Sequence, residues 1–241
     1  MFDPSKFTTQ TTKPLPVVLI LDVSGSMSGS KIDNLNKAVE DMLESFIQEE
    51  KMEAEIIVSV MTFGDEKVTL LVPFTKASQV KWQPLQVSGD TPMGEALKQA
   101  KAMIEDKTIT PSRAYRPTVV LVSDGQPTDG NIWKQAMEDF IKEGRSSKCD
   151  RMAMAIGRDA DEIVLKRFME GTSNNLFYAE NANQIHEFFK RVTMSVSMRT
   201  KSKNPNIIPD PSEIKLDGSS INSKINGKGH KSSDDEDNGY W

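Results

Sequence analysis

Four continuous apolar runs constrain this chain more than any other feature: VVLIL at 17–21, IIVSVMTF at 56–63, TVVLVS at 118–123 and MAMAI at 152–156. A strand with one wet face alternates apolar and polar residues, and these do not. They read as short strands covered on both faces. Between them the period becomes helical, with Ile32, Leu35, Val39, Met42, Leu43 and Phe46 on one stripe and Ala96, Leu97, Ala100 and Ile104 on another. Strand alternating with helix predicts an α/β fold: a doubly wound, mostly parallel sheet with helices on both faces. One stretch departs from the alternation. In MTFGDEKVTLLV, Gly64-Asp65-Glu66-Lys67 separates two strand-like runs, which predicts a hairpin and one antiparallel edge strand. Residues 161–170 and 182–196 read as helices, the second with Ile185, Phe188, Phe189 and Val192 on one face, and Leu176-Phe177-Tyr178 as a short last strand.

These elements place a folded domain at 15–198, after a polar N-terminal extension of residues 1–14. Residues 199–241 are rich in Ser, Gly and Pro and carry the acidic run Asp234 to Asp237. Their few apolar side chains would not offset the entropy of ordering them, so a disordered tail is expected, ending in Tyr240 and Trp241 as a conceivable docking peptide. The net charge of −5 is spread without a basic stripe, which argues against nucleic acid or an anionic membrane as partner. The first apolar run is cut short by Asp22, too soon for a membrane span or a secretory signal. Cys149 is the single cysteine and cannot form an intramolecular disulfide, so the expected compartment is the reducing cytoplasm.

The first run leads into LDVSGSMSGSK at 21–31. Its glycines and serines do not match a P-loop, because Gly25 and Gly29 enclose three residues and Ile32 follows Lys31. Nor do they match a nucleophile elbow, where Met27 holds the place that serine requires. In a doubly wound sheet, ligands bind beyond the carboxyl ends of the strands, at the point where strand order reverses. SGDTPMGEAL and LVSDGQPTDG can reach that edge too, which gathers Asp22, Ser24, Ser26, Thr91 and Asp124. All five are oxygen donors, a set that selects a hard divalent cation, Mg²⁺ or alternatively Mn²⁺, where zinc would want His or Cys. Taken singly, each has a plainer use. Asp22, Ser24, Ser26 and Asp124 suit turns. Thr91 suits the N-cap of a helix beginning at Pro92 and supported by Glu95. Their joint occurrence in one order at strand ends favours the metal. Asp129 reads as a turn residue or one standing behind the ligands, and neither His186 nor His230 has the neighbours of a ligand or base.

DVSGS, followed by the isolated Thr91 and by Asp124 at a strand end, resembles the metal-ion-dependent adhesion site of von Willebrand factor type A domains, over roughly 15–198. That resemblance implies a Rossmann-like sheet and an ion whose open position is completed by an Asp or Glu carboxylate of a partner protein. Within the family, SDGQPTDG and FFKRVTMSVS resemble TerY-type proteins of bacterial tellurite-resistance and stress systems, often encoded with a protein kinase and a PP2C-type phosphatase. The implied function is a cytoplasmic, metal-dependent protein-interaction module of a stress or defence complex, without catalysis. Asp90 departs from the pattern, since many relatives carry a small residue there. Two alternatives stay open. One is a metal-dependent phosphatase or nucleotide hydrolase, although Ser24 stands where a haloacid-dehalogenase-type enzyme needs its second aspartate; the other is a scaffold with a vestigial site.

Overall fold

The computed structural model describes residues 13–50, 55–65, 67–158 and 160–214. Six strands form one sheet: β1 (Leu15–Asp22), β2 (Ile56–Gly64), β3 (Lys67–Lys76), β4 (Thr118–Ser123), β5 (Asp150–Ile156) and β6 (Phe177–Ala179). Their order across the sheet is β3-β2-β1-β4-β5-β6, and only β3 runs antiparallel, at one edge. The hairpin closes where the sequence places it, with Gly64 opposite Lys67 and Asp65 at φ 53°, a left-handed conformation that Asp tolerates better than most residues. Among the described residues five α-helices flank the sheet: α1 (Ser30–Glu50), α2 (Met93–Glu105), α3 (Ile132–Lys142), α4 (Glu162–Phe168) and α5 (Ala182–Thr200).

The pleat of β1 shows why its run is unbroken. Val17, Leu19 and Leu21 point into a core shared with the α1 stripe and with Phe188, Phe189 and Val192 of α5. Val18 and Ile20 point the other way, against Leu97, Ala100 and Ile104 of α2 and Phe140 of α3. Each such side chain contributes about 1.5–3 kcal/mol by leaving water, so neither face can be made polar. No helix among the described residues is long and apolar enough to cross a membrane. Cys149 is buried and free, and burial pushes its thiol up to about 12.

The boundary expected at 198 falls too early. Arg199 is fully buried on the inner face of α5; its Nε donates to Pro205 O at 2.7 Å, Nη1 to Thr118 Oγ1 at 2.8 Å, and Nη2 to Arg116 O. Asn206 Oδ1 accepts from Arg116 N at 2.8 Å, and Ile214 is also buried. Residues 199–214 therefore cover the amino ends of β4 and β5. Pro205, Pro209 and Ile214 are buried within this segment, and its polar groups add a second hold. They supply hydrogen-bond partners to peptide groups that would otherwise be buried unpaired. Thr118 passes the contact on, its hydroxyl donating to Asp150 Oδ2 at 3.4 Å while Asn174 Nδ2 holds Oδ1 at 2.7 Å. Burial raises the Asp150 carboxyl and the Arg199 charge opposes that; burial likewise brings Arg199 down to about 10. Residues 1–12 of the expected extension and 215–241 of the expected tail, with His230, Tyr240 and Trp241, lie outside the described residues.

Candidate metal centre

Strand order reverses between β1 and β4: the chain leaves β1 toward α1 on one face and leaves β4 toward α3 on the other. A crevice opens between the two departing loops. Asp22 stands at its floor as the last residue of β1, with no exposed surface. Both of its oxygens are occupied, Oδ1 accepting from Ser24 N at 2.8 Å and Oδ2 from Ser123 Oγ at 2.5 Å. Burial raises this carboxyl, against the opposing pull of the Ser123 and Ser24 hydrogen bonds. The Asp22–Ser24 bond turns the chain sharply upward. Gly25 N then donates to Gly89 O at 2.9 Å and Ser88 N to Val23 O at 2.7 Å, which ties the first loop to the segment carrying Thr91. Gly89 is at φ 55°, and a Cβ there would stand 2.5 Å from Asp65 Cα, so glycine alone permits this approach.

The turn brings the hydroxyls of Ser24 and Ser26 to 3.0 Å from each other, and Ser26 Oγ donates to Asp124 Oδ1 at 2.7 Å. Asp124 is 3% exposed and follows β4 directly. Thr91, at 5%, comes from the third loop. Its hydroxyl and that of Ser26 each lie 3.6 Å from the point where a Cβ on Gly125 would stand, so both face one spot above that glycine. All five residues singled out from the sequence thus meet in one crevice.

The helix-capping use of Thr91 is not observed. Its carbonyl accepts from Met93 N at 2.8 Å and its amide donates to Thr128 Oγ1 at 2.9 Å, while its side chain makes no cap to α2. The cap comes from Asp129, whose Oδ2 accepts from Glu95 N at 3.1 Å. Gly94 admits that carboxylate, since a Cβ there would lie 2.7 Å from Asp129 Oδ2 and 2.5 Å from the Trp133 main chain. A carboxylate from a neighbouring loop thus opens α2 and leaves the Thr91 hydroxyl available to the crevice.

Sequence reasoning missed two participants. Ser123 holds Asp22 from the end of β4; a hydroxyl closing an apolar run was the available signal. Lys31, in the first turn of α1, places its ammonium on Asp124 Oδ2 and 3.2 Å from Ser26 O. No spacing rule announces a lysine that folds back over its own loop. His186 lies elsewhere, its Nδ1 2.9 Å from Ala182 O and its Nε2 3.2 Å from Asp41 of α1. Asp90 is exposed.

The donor set fits a small hard cation. Magnesium–oxygen bonds of about 2.0–2.1 Å at near-octahedral angles put neighbouring ligands about 3 Å apart, the separation of the Ser24 and Ser26 hydroxyls. Each hydroxyl can keep a lone pair for an ion while donating its proton, as Ser26 does to Asp124. Among the described residues no group of three or more His, Cys, Asp or Glu could hold a metal, so a zinc-type or all-carboxylate cage is absent from them.

A profile of the von Willebrand factor type A domain matches residues 17–191. Inter-alpha-trypsin inhibitor heavy chain H2 of Sus scrofa is 23% identical over 198 residues, covering 78% of this chain and 21% of its own. The present chain therefore spans about a fifth of that relative. Among solved structures, the von Willebrand factor type A protein from Catenulispora acidiphila superposes with a TM-score of 0.59 at 20% identity, over 77% of this chain and 43% of its own. The pilus adhesin SpaC from Lactobacillus rhamnosus GG in its open conformation gives 0.62 at 15% identity, over 76% and 30%.

Proposed function

This chain belongs to the von Willebrand factor type A domain family, whose members are known for protein interaction and metal-dependent binding, and from that premise we propose that it binds Mg²⁺ or Mn²⁺ and presents the ion to an acidic side chain of a partner protein. One observation carries the reading: the hydroxyls of Ser24, Ser26 and Thr91 converge beside the carboxylates of Asp22 and Asp124. Neutral hydroxyls donate no charge to the ion, and both oxygens of Asp22 are already engaged, so Asp22 would act on the ion through intervening groups. An ion held in this way keeps most of its positive charge, and a partner's Asp or Glu would replace water as a charge-assisted ligand.

The same engagement weighs against the hydrolase alternative. An aspartyl nucleophile needs one oxygen exposed to the substrate, whereas Asp22 has no exposed surface and both oxygens bonded. The finer placement, as a cytoplasmic module working with a kinase or a PP2C-type phosphatase in a stress or defence complex, rests on the stretches SDGQPTDG and FFKRVTMSVS and on the lone buried thiol of Cys149. The test is calorimetric titration of MnCl₂ into the parent and into a Ser24→Ala, Ser26→Ala double variant, followed by capture from lysate with MgCl₂ or with EDTA. Metal binding lost in the variant, with a captured protein released by EDTA, is the expected result. Equal binding by parent and variant refutes the site.

A further inference from the structure

We infer that Lys31 is a resident counter-cation of this crevice, which yields its place at Asp124 when a divalent ion arrives and so sets the concentration at which the site fills. The inference rests on the metal reading above and deepens it. The two oxygens of Asp124 have two different donors: Oδ1 takes the Ser26 hydroxyl and Oδ2 takes the Lys31 ammonium. The ammonium also contacts Ser26 O at 3.2 Å, so it bridges the loop after β1 and the loop after β4 at the mouth of the crevice. A Cβ on Gly157, beyond the end of β5, would stand 3.2 Å from both Cε and Nζ of Lys31, so the lysine stem passes close over that glycine. The Asp124 side chain is almost wholly buried while that of Lys31 is about one-third exposed, at 1% and 32%. The anion is thus fixed, and the cation has a way out to solvent.

Two cations cannot share this carboxylate cheaply. An ion held by the Ser24, Ser26 and Thr91 hydroxyls would stand beside Ser26, the residue whose carbonyl and hydroxyl link Lys31 and Asp124 into one network. Its double charge opposes the ammonium there and competes with it for Asp124. Lys31 swinging outward relieves that repulsion, and the flexible lysine stem allows it, where an arginine fork would resist. The ammonium thus offsets the charge of Asp124 until a divalent ion replaces it and leaves it free at the rim.

The probe is the metal alone. MnCl₂ is titrated calorimetrically into the full chain and into Lys31→Met, which keeps the stem and removes the charge. Affinity should rise roughly two- to fivefold in the variant, the range a partly exposed ion pair accounts for. If the parent binds and the variant binds equally or less tightly, the counter-cation role is overturned while the metal site stands. If neither binds, both fall together. In case the variant fails to fold, a second measurement needs no substitution. The parent is acetylated by an isotopically labelled reagent in EDTA and in saturating MgCl₂, and each lysine is quantified by mass spectrometry. Labelling of Lys31 should rise several-fold with metal, while the exposed Lys37, paired with Glu40 and Asp41 on α1, stays unchanged. Constant labelling of Lys31 in metal-saturated protein overturns the inference.

Discussion

Replacing Arg199 by methionine removes three buried donors at once without leaving a large void. Pro205 O, Thr118 Oγ1 and Arg116 O lose their partner, and Asp150 loses the charge that opposes its desolvation. Hydrogen bonds from charged donors are worth about 1.5–3 kcal/mol each, and the released groups recover part of this if the segment after α5 loosens to admit water. Stranding one member of a buried charged set costs about 3–5 kcal/mol, and we expect that loss here. Against a total stability of roughly 5–15 kcal/mol, it is a large fraction. The assay is urea unfolding followed by circular dichroism, with the midpoint lowered and the slope unchanged. The sign of the pH dependence is fixed too. Asp150 has a raised carboxyl, so its folded form favours the proton; stability from that source is full at low pH and lost as pH rises through the folded value. Without Arg199 the carboxyl rises further, and the penalty must be larger at pH 8 than at pH 5. A loss below about 1 kcal/mol, under the value of one buried hydrogen bond, or a penalty that grows as pH falls, would refute the reasoning.

Other outcomes follow from the same contacts. Truncation after Thr200 removes Pro205 and Asn206 from Arg199 and Arg116, and thermal melting should fall by several degrees, at about 2–4 °C per kcal/mol for a domain of this size. Glu105 is raised by burial, but the amides of Ser146 and Arg145 and the Lys101 ammonium outweigh this and leave its carboxyl below the ordinary 4.5; its contribution is present above that pH and lost as pH falls through the depressed folded value. Glu105→Gln should therefore cost about 1–2 kcal/mol at pH 7, and the gap to the parent should narrow in acid unfolding. Cys149 should resist iodoacetamide in the native protein at pH 8 and react once urea opens the chain, since its thiol is buried and pushed up to about 12.

Much of this architecture was legible because burial on both faces leaves a plain mark. The runs at 17–21, 118–123 and 152–156 lie within β1, β4 and β5, and the Gly64-to-Lys67 signal gave the antiparallel edge. The crevice was legible for a related reason: a strand end that carries Asp and Ser in place of further apolar residues has few uses in a packed sheet. Thr91 shows the limit. Its position before Pro92 fits a cap by local rules, yet the carboxylate of Asp129, 34 residues beyond the capped amide of Glu95, takes that role, and local spacing carries no record of it. Arg199 shows a second limit. It falls seven residues after Val192 on the buried stripe of α5, which marks it as inward-facing, but its acceptors are mainly carbonyls, and any residue has one. Polar satisfaction of the main chain is invisible to a search for apolar area, and the few apolar residues buried after α5, Pro205, Pro209 and Ile214, were too sparse to move the boundary past 198.

The clasp around Arg199 also bears on the order in which a ribosome delivers this domain. β1 sits in the middle of the sheet and emerges first, and the crevice has its last ligand once Asp124 is made. The amino end of β4 acquires its partners only when Asn206 and Pro205 follow. At synthesis rates of about 5–20 residues per second, the interval between Asp124 and Asn206 is on the order of 4–16 s. During that time the nascent chain holds every metal-facing side chain but lacks the closure of the opposite end of the sheet. Divalent ions and chaperones would thus meet a chain that already carries all five candidate ligands while the contacts of Pro205 and Asn206 that close the amino end of β4 are still to come.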